Sequence, residues 1–216
     1  MNDFLIKALQ QKILPAINIE DAEHVLPVAE TFLNAGLNVM EIQFRTQQAA
    51  AAIEMLRKNF PEMNIGAGTL LSIEQLHNAI NAGAQFGLSP SLNKKICSEA
   101  KQLVFPFIPG VMTPGEIEFA NELGYAILKL FPAAQLGGAA FIKAMLGPYK
   151  QLNVQFIPMG GVNQNNMNDY LTLKNVIALG GSWLATKELI LSKNFTAIYN
   201  NVVEAISIVK KHNDEN

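Results

Sequence analysis

The chain has 216 residues, 50% of them hydrophobic and 16% charged, with a formal net charge of −2. That is enough apolar material for one full core, and its 16 Lys and Arg are scattered too widely to suggest a nucleic-acid surface. No run approaches the roughly 18 apolar residues of a membrane span, and the N-terminus MNDFLIKALQQ does not read as a signal peptide, so a cytoplasmic protein is expected.

Residues 2–11 read as a short helix. ILPAINI (13–19) is the first strand-like run, followed by the amphipathic stretch HVLPVAETFLNAG. VMEIQF (39–44) leads into QQAAAAIEMLRKNF, and NIGAGTL (64–70) into IEQLHNAINAG. After FGLSP (86–90), KKICSEAKQ reads as a helix holding Cys97, the only cysteine, as a half-buried structural thiol. VFPFIPG (104–110) precedes EIEFANELG, and AILKLFPA (126–133) precedes AFIKAMLGPY. VQFIPMGG (154–161) and NVIALGGS (175–182) are the last strand-like runs, and TAIYNNVVEAISIVKK closes the chain.

Helix ends are marked as well. Ser72 with Gln75 and Thr113-Pro114 with Glu116 read as capping boxes, and Gly36, Gly83 and Gly124 as C-terminal stops. Alternation of strand and helix demands a parallel sheet. The expected fold is α/β: a single (β/α)8 TIM barrel over residues 1–216. Its N-terminal helix would be 2–11, its strands and loops about 13–186, and its closing helix about 195–211. An open doubly wound sheet is the alternative, and it usually stops at fewer strands.

In such a barrel the chemistry lies at the C-terminal strand ends, and the unusual residues of this sequence fall there. Lys129 sits inside AILKLF, on one face with Ile127 and Phe131. Burial disfavours an ammonium ion and favours a free amine able to attack a carbonyl. A lone strand lysine more often snorkels to the rim; here its company argues for catalysis. Glu41 lies between apolar residues, on one face with Gln43 and Arg45. A carboxyl in a closed, partly apolar mouth suits proton transfer, although an ion pair with Lys129 or Arg45 is the plainer reading. The planar fork of Arg45 suits a carboxylate. Gly160-Gly161 and Gly180-Gly181-Ser182 end the last two runs, where backbone N–H groups and a hydroxyl can hold a phosphate.

His24, His77 and His212 fall in helical or tail segments, and of Asp3, Asp21, Asp169 and Asp214 only Asp21 could lie near the mouth. No metal site is therefore expected. A nucleotide cofactor is not expected either, since GAGTLLS fits the dinucleotide fingerprint poorly and no Walker loop occurs.

MEIQFRT, IGAGTLLS, LSP, PFIPGVMTPGE, LKLFPA followed by GG, IPMGGV and LGGSWL occur in that order between about residues 12 and 186. The set resembles the 2-keto-3-deoxy-6-phosphogluconate (KDPG) and 4-hydroxy-2-oxoglutarate (KHG) aldolases. The resemblance implies a class I aldolase, cytoplasmic and typically trimeric, that uses no cofactor or metal. It would cleave 2-keto-3-deoxy-6-phosphogluconate to pyruvate and glyceraldehyde 3-phosphate, or 4-hydroxy-2-oxoglutarate to pyruvate and glyoxylate, or both. Lys129 would form the Schiff base and Glu41 would move the proton, while Arg45 and Thr69 would hold the pyruvate part. Pro90 and Phe131 would line the pocket, and Gly160, Gly161, Gly181 and Ser182 would face the phosphate. Family members usually carry Thr where this chain has Met159, and often Gly where it has Ser91, so weaker discrimination between hydroxyl epimers is expected. Rival readings are an aldolase for the galactonate-derived epimer, a thiamine phosphate synthase, which would need metal-binding acids, and a non-catalytic sugar-phosphate-binding barrel.

Overall fold

A computed structural model describes residues 3–214. Helix α1 (Asp3–Ala8) precedes β1 (Ile13–Ile17), α2 (Val25–Asn34), β2 (Val39–Gln43), α3 (Ala49–Asn59), β3 (Asn64–Gly68), α4 (Ile73–Asn81) and β4 (Phe86–Leu88). Then come α5 (Lys94–Gln102), β5 (Phe107–Ile108), β6 (Gly110–Val111), α6 (Pro114–Glu122), β7 (Ile127–Leu130) and α7 (Gly138–Tyr149). The chain finishes with β8 (Gln155–Pro158), α8 (Met167–Leu171), β9 (Leu179–Gly181), α9 (Lys187–Leu191) and α10 (Phe195–Asp214). No helix among the described residues is long and apolar enough to cross a membrane.

The sheet is parallel, as the alternation predicts. Six strands pair in the order β5-β4-β3-β2-β1-β9 and three in the order β6-β7-β8. β1 and β2 are buried along their whole length, as expected of parallel strands covered on both faces. The register places Ala16, Glu41 and Gly66 side by side, and likewise Gly110, Lys129 and Ile157.

One continuous ladder of eight strands is not what forms. The run 104–110 yields two short strands flanking Pro109, because Pro106 and Pro109 have no N–H to donate. The run 175–182 becomes a strand only from Leu179, with Val176 bridging Phe156 on its own. A second single bridge, Met159 to Gly180, links β8 to β9.

The expected helix 2–11 is shorter in its described part. It ends at Ala8, and the chain reverses through a turn in which Lys12 takes a left-handed φ of 57° before β1; residue 2 lies outside the described residues. The closing helix runs on to Asp214 rather than stopping near 211. Thr113 and Glu116 form a full capping box. At α4, Ser72 caps Gln75, but the Gln75 side chain reaches back to the Leu71 N–H instead of the cap's own. Gly36, Gly83 and Gly124 follow α2, α4 and α6 with positive φ, as helix stops do.

Candidate active site

Glu41, Gln43, Ser89 and Lys129 are the polar or charged side chains buried among the described residues. All four sit on or just beyond β2, β4 and β7. Burying a charge costs several kcal/mol per ion unless its partner and hydrogen bonds compensate, so such a cluster is better explained by function than by stability. Lys129 is 3% exposed and Glu41 is fully buried, with Nζ and Oε1 3.5 Å apart. Neither Glu41 oxygen has a hydrogen-bond partner among the described residues. The pair is thus in contact but poorly satisfied, as suits groups that must also serve a ligand.

Glycine makes room for it. A Cβ at Gly68, on β3 beside β2, would collide with the Glu41 carboxylate. At Gly180 a Cβ would collide with the Met159 side chain.

Above the pair opens a cavity of about 560 Å³, within the range of small-molecule sites. Lys129, Arg45, Thr69, Pro90 and Phe131 line it. Met159, Gly160, Gly161, Gly181 and Ser182 line it as well. Of the residues expected to act on the substrate, Glu41 is not at the cavity but lies behind its wall against Lys129, and Gly180 of the second glycine turn does not line it either. Lys129 Nζ stands 5.6 Å from the centre of the Phe131 ring. Ser89 Oγ donates to the Ser91 carbonyl at 2.7 Å, which shapes the turn around Pro90.

Local backbone supports these placements. Thr69 holds a left-handed φ of 58°, which for a β-branched residue costs on the order of 1–3 kcal/mol and is typical of functional positions. Gly160 and Gly161 have φ of 87° and 77°, a turn open to glycine at little cost. The N–H groups of Gly161 and Ser182 bond to no described residue and are available to an anion. Arg45 is exposed at the mouth and makes no ion pair within the described residues. Met159 is 2% exposed, so its thioether contributes shape to the wall and no hydrogen-bond donor.

Several cavity residues were given no role by the sequence, although Gln43 was placed there on the face of Glu41 and Arg45. Asn18, Gln43 and Lys187 also face the space. Lys187 pairs with Glu20 at 2.9 Å, and this lysine, first as hydrogen-bond donor and then as charge, holds the Glu20 carboxyl below the usual range. No group of three or more His, Cys, Asp or Glu among the described residues is placed to hold a metal ion.

A parallel α/β fold with a buried amine against a buried carboxyl, and a cavity lined by cations and open N–H groups, defines an enzyme for a small anionic molecule. Comparisons with known proteins say which class. A model of the KDPG and KHG aldolases matches residues 6–201. The chain is 46% identical over 204 residues to a 2-dehydro-3-deoxy-phosphogluconate aldolase of Haemophilus influenzae, covering 94% of this chain and 95% of that one. It is 36% identical over 198 residues to the KHG/KDPG aldolase of Escherichia coli K12, covering 92% of each. The KDPG aldolase of Legionella pneumophila, solved with pyruvate captured as a covalent carbinolamine, superposes with a TM-score of 0.88 at 35% identity, covering 93% of this chain and 97% of that one. The chain belongs to the KDPG and KHG aldolase family.

Proposed function

We propose that this protein is a class I aldolase that cleaves 2-keto-3-deoxy-6-phosphogluconate, and the shorter 4-hydroxy-2-oxoglutarate, through a Schiff base on Lys129. The observation that carries the reading is the buried Lys129 amine, open to the cavity and 3.5 Å from the buried Glu41 carboxyl. Lys129 attacks the 2-keto carbon, and loss of water leaves an iminium that withdraws electrons. Glu41, directly or through a water, takes the proton of the C4 hydroxyl, and the C3–C4 bond breaks. Glyceraldehyde 3-phosphate leaves (glyoxylate from the shorter substrate), and reprotonation and hydrolysis of the enamine free pyruvate. Covalent chemistry divides one hard step into easier ones.

Arg45 and Thr69 orient the pyruvate half, while Pro90 and Phe131 bound it. Gly160, Gly161, Gly181 and Ser182 receive the phosphate, with the Lys187 charge nearby; holding both ends of the substrate supplies orientation. The galactonate-derived epimer is not favoured, because the relative at 46% identity bears the gluconate name. The architecture proposed around the site is one closed (β/α)8 barrel domain over the whole chain, with β5 and β6 as halves of one strand. The single bridges Phe156 to Val176 and Met159 to Gly180, between β8 and the run that ends in β9, support closure. The assembly proposed, from the family resemblance, is a homotrimer in the cytoplasm.

In this mechanism the iminium is the electron sink, so no metal is needed. Purified protein should release pyruvate from 2-keto-3-deoxy-6-phosphogluconate at the same rate with and without EDTA. Loss of activity in EDTA that zinc or magnesium restored would overturn the class I reading.

A further inference from the structure

Asn18 has no part in the reaction as written. It follows directly on β1, on the inward face it shares with Ala16, and both residues line the cavity. Its surroundings fix it there. Ile17 and Ile19 on either side are fully buried, and the Ile19 carbonyl accepts a 2.6 Å hydrogen bond from Thr46 Oγ1. Ala16 pairs with Glu41 and Ile17 with Ile42, so the same register sets Asn18 level with Gln43, one layer above Glu41.

The amide is also held in one orientation. Nδ2 donates to Glu20 Oε1 at 3.2 Å, and Glu20 is itself held by Lys187. Only the NH2 end of a carboxamide can serve a carboxylate, so the oxygen is the end left over. That Oδ1 is buried and has no hydrogen-bond partner among the described residues. A buried acceptor calls for a donor. An anion cannot be that donor, since it carries no proton to give and would set acceptor against acceptor. A hydroxyl can.

On the aldolase reading given above, we infer that Asn18 is a specificity-determining residue. It accepts a hydrogen bond from the C5 hydroxyl of the phosphorylated substrate, with Glu20 as the positioning residue that fixes its amide. In 4-hydroxy-2-oxoglutarate a carboxylate stands at C5, which offers Asn18 Oδ1 no donor and leaves it unpaired. Met159 cannot share this role, because it presents only a thioether.

The test compares kcat/KM on the two substrates for the wild type, Asn18→Ala and Glu20→Ala. Asn18→Ala should lower the ratio of the phosphorylated to the unphosphorylated substrate about tenfold or more, the scale of one lost buried hydrogen bond. The loss should appear chiefly in KM for the phosphorylated substrate, as for an interaction present before the transition state. Glu20→Ala frees the amide to turn and should move the ratio the same way by less. Asn18→Leu, close in size, gives the same readout if the alanine variant folds poorly. Each variant should still form a borohydride-stable adduct with pyruvate. Adduct formation with an unmoved ratio would overturn the role of Asn18 alone; a wild type that forms no adduct would overturn the aldolase reading beneath it.

Discussion

Gly68 leaves the space that the Glu41 carboxylate occupies, and the mechanism makes that space a condition of turnover. Glu41→Gln removes the proton acceptor and keeps the shape, while Gly68→Ala keeps the acceptor and displaces it. Both variants should fold, form the pyruvate adduct and lose two or more orders of magnitude in kcat, the usual scale for an acid–base group. Near-normal turnover in Glu41→Gln would mean that another group, or water alone, moves the proton. Lys129 and Glu41 stood out in the sequence because a charged residue inside an apolar strand breaks the pattern around it, and Arg45 because it follows Glu41 at the strand's end. Asn18, Gln43 and Lys187 did not. An amide at a strand end or a lysine at a helix start is common, and only three-dimensional neighbours give these residues a role.

At the level of elements, α5 meets the strand-7 approach through Cys97 and Tyr125, the Tyr125 hydroxyl donating to the Cys97 carbonyl at 2.8 Å. Burial pushes the Cys97 thiol up from 9.0 to about 11 and raises Tyr125 from its ordinary value as well. In the unfolded chain the thiol ionises near 9.0, whereas in the folded chain it stays protonated to about 11. Across that window the unfolded state binds fewer protons, so stability falls as pH rises, and below it the thiol contributes nothing. The urea midpoint should therefore drop between about pH 9 and 11, and the drop should be shallower in Cys97→Ala. Equal slopes for the two proteins would contradict this account of Cys97.

The helix α5 was itself readable residue for residue from KKICSEAKQ, and Thr113 with Glu116 announced α6. The five-residue helices α8 and α9 are too short to show a 3.6-residue period. The fifth strand run was legible as apolar but not as broken, since its prolines read as strand-compatible until their missing N–H groups are counted against a ladder.

For the molecule as a whole, alternating apolar runs and amphipathic stretches were enough to indicate a parallel α/β architecture with its odd residues at one end. The sequence offered Lys129 and Arg45 alike as ion-pair partners for Glu41, and the choice of Lys129 on β7 was not visible there, because it depends on how far the sheet curls. That pairing places an amine and a carboxyl in one buried contact beneath one cavity, and it is the centre of the proposed chemistry. Borohydride treatment in the presence of pyruvate tests it most directly. Mass spectrometry should find a single stable adduct on the peptide carrying Lys129, absent from Lys129→Ala and Lys129→Arg. An adduct on Lys143 or Lys150, or none at all, would contradict the assignment.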